Sequence, residues 1–395
     1  MQGPSPPPRG FPEAEFAART EKAQAAMAAA GLDALLLTTE PEVRYFTGFL
    51  TQFWQSPTRP WFLVVPAKGK PVAVIPTIGV DCMARTWLDD IRSWSSPQPD
   101  DDGRSLLATT LMELAGRKQA GKTGRVGVLK GKETHLRMPL GDFEQLAWML
   151  PDMSFHDATA ILRALRMVKS QREIEKIAYV CDVVSGAFEA GPEIFAAGQS
   201  DIEVFRRFKI ACLTRGVDDV SYLVGGAGQG GYGDIISPPS GRALRDGDVL
   251  ILDTGCLFDG YFCDFDRNFA IGRADDAVRR AYEVVWRATE AGLVAVRPGA
   301  TCAELFAAMQ AVLEEGGALG NDVGRLGHGL GMQLTEWPSH TPWDRTELRE
   351  GMVLTLEPGM TFAEGKVMVH EENIVVREDG AELLTRRAAP ELPVI

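Results

Sequence analysis

RDGDVLILDTG, residues 245–255, is echoed by REGMVLTLEPG, residues 349–359. Both copies open on Arg, an acid and Gly, and continue through a short run centred on Val and Leu. Each then sets down one carboxylate, with Gly two residues further on. The carboxylates are Asp253 and Glu357. An apolar run of this length reads as a buried strand. A carboxylate at its end is costly to bury alone, so it needs a partner or a cation. Two such ends, related by an internal repeat, can face each other across a pseudo-twofold axis and build a two-carboxylate site for two cations.

Working outward, each copy acquires a companion. GYFCDFD places Asp264 in the next strand, across a turn at Asp259 and Gly260, and VMVHEENIVV places Glu371 in the strand expected to pair with the second copy. Two hairpins then bring Asp253 beside Asp264 and Glu357 beside Glu371. His328 lies in GRLGHGLGMQ. Four carboxylates and one imidazole suit Mn²⁺, Fe²⁺, Co²⁺ or Zn²⁺ better than a thiolate-seeking metal. Two divalent cations about 3.5–4 Å apart need bridging carboxylates and can share one hydroxide, a nucleophile at neutral pH.

The rest of the chain frames this site. A helix is expected from about Arg19 to Ala30, then a buried strand in LDALLLTT, a turn at Glu40-Pro41, a hairpin in WFLVVPAKGKPVAVIP and a strand in GRVGVLKG. Alternating strands and helices predict a small α/β domain over residues 1–160, with 1–10 a flexible tail. Residues 161–190 have one long helical period, and Ser170 followed by Glu173 is a capping-box signature that marks a new domain over 161–395. A helix follows over 201–214. VSYLVGGAGQGGYGDII reads as a strand broken by glycines; it lacks the GxxxxGK[ST] pattern, so GGAGQGG is a flexible active-site loop rather than a phosphate loop. Helices over 275–295 and 301–315 and a short strand near 325–329 precede the second copy. The order helix pair, strands, helix pair, strands extends the repeat to whole supersecondary units.

A net charge of −13 excludes nucleic acid and anionic membrane surfaces as partners. No apolar run reaches membrane-spanning length, and the Pro-rich start has no apolar core of a secretory signal. Six cysteines without a CxxC pair read as reduced thiols of a cytoplasmic protein. Cys256 and Cys263, near the expected site, read as small strand-face residues rather than soft ligands.

At these residues the chain resembles the pita-bread metallohydrolases: methionine aminopeptidases, Xaa-Pro aminopeptidases, prolidases and creatinase. D-x-G, G-Y-x-x-D, G-H-G-x-G, L-E-P-G and E-x-x-I-V occur in order, and the intervals of 11, 64, 29 and 14 residues between the five ligand positions are similar to those of the prolidase branch. GLDALLLTTEPEVRYFTGF resembles the creatinase-type N-terminal domain. The resemblance implies an α/β (α+β) protein: a smaller α/β N-terminal domain, then a pseudo-twofold pita-bread catalytic domain. It implies that Asp264, His328 and Glu357 hold one metal and Asp253 the other. Glu371 and Asp264 would bridge, and Glu357 would double as acid and base. The implied activity is that of a dinuclear hydrolase, with Mn²⁺ the first choice of ion and Zn²⁺, Co²⁺ or Fe²⁺ the others. It would cut a peptide or amide C–N bond in a small substrate through a metal-bridging hydroxide, as an Xaa-Pro dipeptidase or aminopeptidase does. The resemblance also implies a homodimer, in which Trp54 and Arg59 act on the other subunit's site.

The chain departs from the proline-specific members at two positions. Where they carry substrate histidines, it has Ile236 and Thr335, although Glu336 and Pro338 are kept. Neither side chain can donate a proton as an imidazolium. This opens an alternative: a metal-dependent hydrolase or lyase of a creatine-, ectoine- or dimethylsulfoniopropionate-like molecule. A non-catalytic binding protein is a third reading, disfavoured by the complete ligand set. His340, in WPSHTPW, is the candidate to replace a missing histidine in catalysis. Asp266 reads as an acceptor that holds Arg267 rather than a further ligand, His370 as a packed neighbour of Glu371, and Trp54, Arg59, Tyr232 and Trp337 as lining a small pocket.

Overall fold

The computed structural model describes residues 4–116, 123–320 and 324–395, so the first three residues of the expected tail lie outside the described residues. The chain divides into two compact units, Gly10–Arg166 and Met167–Ile395, and the segment up to Arg9 goes with the second.

The first unit is built on a mixed six-stranded sheet. Its strands are β1 (Ala34–Leu37), β2 (Phe62–Pro66), β3 (Val72–Pro76), β4 (Ile91–Trp94), β5 (Gly124–Val128) and β6 (Met153–Asp157), in the order β4-β3-β2-β1-β5-β6. β1, β2 and β3 are buried along their whole length, as continuous apolar runs should be. Leu36, Val64 and Val74 share a core cluster with Leu107 and Leu111 of the helix Arg104–Ala115. Two expectations need correction. The first helix starts at Glu13, six residues early, and Glu40-Pro41 opens a helix, Glu40–Thr47, rather than a turn. Proline in a first helical turn loses no hydrogen bond, because that N–H has no intrahelical partner. Trp54 lies buried against Phe49 and Trp61.

The helical period over 161–190 is two helices, Thr159–Met167 and Gln171–Glu189. The capping box explains the break: the Glu173 amide donates to Ser170 Oγ, and the Ser170 amide donates to Glu173 Oε2 at 2.8 Å. That reciprocal pair satisfies the free N–H groups of a helix start and cannot sit inside a helix. Pro8 and Arg9, expected to be flexible, are held. Lys176 Nζ donates to the Pro8 carbonyl at 2.6 Å, and Arg9 Nη1 to Asp218 Oδ2 at 2.8 Å.

In the second unit, β7 (Asp219–Gln229), β8 (Asp248–Phe258), β9 (Tyr261–Phe262) and β10 (Phe265–Ala270) form one sheet, with β8 between β7 and β10 and β9 paired to the end of β8. The Asp259-Gly260 turn joins β8 to β9 with both residues at positive φ. The glycines of β7 do not break it. Gly225 stands at φ 128°, where a Cβ would lie 2.2 Å from the Ile251 carbonyl oxygen, so the glycine lets two strands approach. The loop expected at GGAGQ is therefore strand.

The second sheet contains β11 (His328–Gly329), β12 (Glu336–Ser339), β13 (Val353–Leu356), β16 (Glu372–Arg377) and β17 (Gly380–Leu383), in the order β12-β11-β13-β16-β17. β14 (Gly359–Ala363) and β15 (Lys366–Val369) form a separate hairpin. The single strand expected in VMVHEENIVV is thus two, β15 and β16, and Glu371 lies in the break. Helices Asp276–Ala295 and Cys302–Glu315 close the core: Val285, Ala288 and Leu305 share one buried cluster with Ile251, Leu354 and Ile374, from both sheets.

Candidate metal centre

Asp253 does not end its strand. It is the sixth of the eleven residues of β8, opposite Asp266 of β10 and Val224 of β7. Gly255, two residues on and on the same face, leaves room beside it: a Cβ there would lie 2.1 Å from Leu334 Cδ1. Asp264 sits between β9 and β10, where Asn373 of β16 clamps its backbone. The Asp264 amide donates to Asn373 Oδ1 at 2.9 Å, and Asn373 Nδ2 donates to the Asp264 carbonyl. Glu357 follows β13, and its amide donates to the Leu326 carbonyl at 3.1 Å. Glu371 is steadied through its carbonyl, which accepts from Arg267 Nη1 at 2.8 Å.

His328 is oriented by its neighbours. Its amide donates to Thr355 Oγ1 at 2.9 Å, and its Nδ1 lies 2.8 Å from the Gly329 carbonyl oxygen. A carbonyl only accepts, so Nδ1 carries the proton and Nε2 presents its lone pair. Nε2 lies 3.4 Å from Asp264 Oδ2 and 3.8 Å from Glu357 Oε1. Asp264, His328 and Glu371 each offer a ligand atom within 4.8 Å of the others. All five expected ligands line one cavity of about 640 Å³.

Four acids this close cannot all stay ionised unaided. Burial raises the pKa of each of them; for Asp253 and Glu371, repulsion from the neighbouring carboxylates adds to it. Asp253 Oδ1 and Glu371 Oε1 are buried without a hydrogen-bond partner. Buried acceptors left unpaired cost roughly 1–3 kcal/mol each. Divalent cations would satisfy those oxygens and restore the charged forms, and oxygen with one imidazole nitrogen is the donor set such ions take. The residues fit the group.

Around this set the expectations divide. Ile236 and Thr335 both line the cavity, and Ile236 is 74% exposed. His340 is a correction. It is fully buried, its Nε2 lies 3.1 Å from the Thr355 carbonyl, and it does not line the cavity. Burial pushes its pKa down to about 3, so it is a neutral core imidazole, not a substrate group. Asp266 does not hold Arg267 through its carboxylate: Oδ1 accepts from Asn268 Nδ2 at 3.3 Å, while Arg267 binds the carbonyls of Asp266 and Glu371 and the carboxylate of Glu372. Tyr232 is buried away from the cavity, its hydroxyl donating to Asn268 Oδ1 at 2.7 Å, and Trp337 Nε1 donates to Thr346 Oγ1 at 3.2 Å. Glu336 accepts from the Met332 amide at 2.9 Å and pairs with Lys169 at 3.2 Å, bracing the turn that carries Thr335. His370 packs away from Glu371, with Nδ1 2.9 Å from Thr289 Oγ1. Cys256 of β8 and Cys263, just after β9, are buried beside each other and do not line the cavity.

Three residues went unread. Asn373 is the second of the two unspecified positions of E-x-x-I-V. Tyr222 lines the cavity from β7, its hydroxyl pKa raised by burial and then by Asp253. Arg325 lines it three residues before His328, with Nε 3.5 Å from Glu357 Oε1. A polar residue two positions from a ligand on a strand was the available signal for Asn373; no comparable pattern marks the other two.

Comparison with known proteins agrees with this architecture. The model of metallopeptidase family M24 matches residues 175–378, and that of the creatinase/prolidase N-terminal domain matches 19–168. The chain is 29% identical to the probable dipeptidase PepE of Mycobacterium tuberculosis over 375 residues, 94% of this chain and 95% of the relative. The crystal structure of dipeptidase PepE from Mycobacterium ulcerans superposes with a TM-score of 0.83 at 29% identity, covering 97% of this chain and 99% of that one. The recombinant prolidase from Thermococcus sibiricus gives 0.85 at 25% identity, covering 98% and 100%. The fold is the pita-bread fold with a creatinase-type N-terminal domain.

Proposed function

The chain belongs to metallopeptidase family M24, and from that premise we propose that it is a dinuclear metal-dependent hydrolase of the Xaa-Pro dipeptidase or aminopeptidase type. The observation that carries the proposal is the convergence of Asp253, Asp264, His328, Glu357 and Glu371 on one cavity, with two carboxylate oxygens left unpaired. In this reading those five residues hold two divalent cations, which would polarise the scissile carbonyl and supply a nucleophilic water at neutral pH. The chain does the rest. His328 keeps Nε2 free of its proton by donating from Nδ1. Glu357, whose pKa is raised by burial, would accept a proton and return it to the leaving amine. Ile235, Leu334 and Val369 form an apolar wall against the substrate.

A second reading keeps the cations and changes the substrate. It is favoured by Ile236 and Thr335, which depart from the proline-specific members and face the cavity. Metal reconstitution followed by a screen of Xaa-Pro and other dipeptides, creatine, ectoine and dimethylsulfoniopropionate separates the two. Release of amino acids from dipeptides supports the first reading; turnover of the non-peptides alone transfers it to the second. Metal binding without any turnover would make the chain a binding protein. Manganese and a homodimer rest on the family resemblance, and a cytoplasmic location suits six cysteines that are all free.

A further inference from the structure

The second unit holds another cavity, of about 320 Å³, which shares no lining residue with the metal centre. Its apolar wall includes Phe188 of helix Gln171–Glu189, Phe269 of β10 and Tyr282 of helix Asp276–Ala295, all three buried. The segment opposite is pinned by its carbonyls: Trp286 Nε1 donates to that of Ala388 at 3.0 Å, and the Tyr282 hydroxyl to that of Ala389 at 2.8 Å. Among the described residues that line the cavity, the charged ones are Arg267, Arg386, Arg387 and Glu189, three guanidiniums to one carboxylate. Glu189 is already paired with Arg386, at 2.6 Å. Arg267 and Arg387, both largely buried, share a single buried acid. Glu372 Oε2 accepts from Arg267 Nη2 at 2.9 Å, and Oε1 from Arg387 Nη1 at 3.3 Å. Glu290 also approaches Arg387, at 3.5 Å, but it is 49% exposed, where water screens it. Arg387 Nε is buried without a hydrogen-bond partner. Burial pushes the Arg387 pKa down, against the pull of Glu372 and Glu290. Two buried guanidiniums on one carboxylate leave a cationic surplus, and a buried charge without a counter-charge is costly.

We infer that this cavity is a second binding site, for a small carboxylate with an aromatic or branched apolar body. The ligand's carboxylate supplies the anion that Arg267 and Arg387 lack, and a guanidinium meets it with two parallel hydrogen bonds. Its apolar body lies against Phe188, Phe269 and Tyr282, where an aromatic ring gains most. A volume of about 320 Å³ is at the small end of ligand pockets, so it takes a single ring or branched chain rather than a long one. Occupancy of this site requires no turnover at the metal centre.

The test is calorimetric titration of the full chain with 3-phenylpropanoate, its amide and acetate, in Mn²⁺-loaded and in chelator-stripped protein. The aromatic acid is expected to bind saturably to both forms, and about 10-fold or more tightly than either the amide, which lacks the charge, or acetate, which lacks the ring. R387M should weaken the acid by about 10- to 100-fold, the worth of a charge-assisted pair. R387K should restore only part, because an ammonium cannot offer the planar fork. Ala389 lines the cavity at an exposed position, so A389W should unfold at the same urea concentration as the wild type while filling the space and abolishing binding. That variant keeps the inference testable if R387M does not fold. Four results would each overturn it: no saturable binding of the acid by the wild type, amide or acetate binding as tightly as the acid, binding confined to the Mn²⁺-loaded form, or an A389W variant that binds like the wild type.

Discussion

Replacing Asn373 with Ala removes the clamp on Asp264. Asn373 is fully buried and meets Asp264 twice, accepting from its amide and donating to its carbonyl. The alanine leaves both backbone groups buried without partners, at about 1–3 kcal/mol each, so N373A should lose about 2–6 kcal/mol. Urea unfolding of chelator-stripped protein measures that loss without a contribution from bound metal. The same substitution frees the Asp264 backbone, so Mn²⁺ affinity should weaken by about 10- to 100-fold, as it does when a group supporting a metal ligand is removed. N373D separates hydrogen bonding from volume: it keeps the size and the acceptor for the Asp264 amide, but sets an oxygen against the carbonyl. It should weaken Mn²⁺ binding as well. If N373A unfolds within about 0.5 kcal/mol of the wild type and binds Mn²⁺ equally well, Asp264 is not positioned by this contact and the reasoning fails.

Further outcomes can be stated more briefly. E371Q should lower bound Mn²⁺, measured by elemental analysis, to below about two per chain and depress kcat, since Glu371 Oε1 is a partnerless buried oxygen. G327A should unfold at markedly lower urea than the wild type, because Gly327 stands at φ 145° and a Cβ would lie 2.4 Å from the Thr355 carbonyl oxygen and 2.2 Å from His340. His340 gives a pH signature. Its folded pKa of about 3 lies below the unfolded value near 6.5, so its stabilisation is complete above about pH 6.5 and drains as pH falls toward 3. H340Q should therefore flatten the fall of the urea midpoint between pH 6.5 and 4.5. The pair I236H and T335H together should raise the preference for Xaa-Pro over other dipeptides; an unchanged ratio would show that these positions do not set that choice.

The centre was legible in the sequence because its ligands are tied to strong local signals. Asp253 and Glu357 follow apolar runs, Asp264 follows a turn, and His328 stands between glycines. Boundaries were less legible. Asp253 looked terminal because Thr254 and Gly255 ended the apolar run, yet pairing with β7 and β9 carries the strand to Phe258. VMVHEENIVV looked like one strand because Val- and Ile-rich ends flank its polar centre, whereas its halves pair with different strands, β14 and β13. His340 was misjudged because spacing brings a residue near a ligand without telling which way it faces: Ser339 opposite His328 in the register turns His340 into the core. Arg325 and Tyr222 could not be read because their place depends on the convergence of separate strands.

Asp253 sits in mid-strand with β7 paired on one side and β10 on the other, so the backbone amides of this stretch should exchange with solvent only when that sheet opens. Asp253 is thus set in its position by folding, before any ion arrives. Loss of a cation then need not await unfolding. How quickly a chelator strips the protein would be governed by the width of the cavity mouth, and a depleted protein could reload in place without refolding.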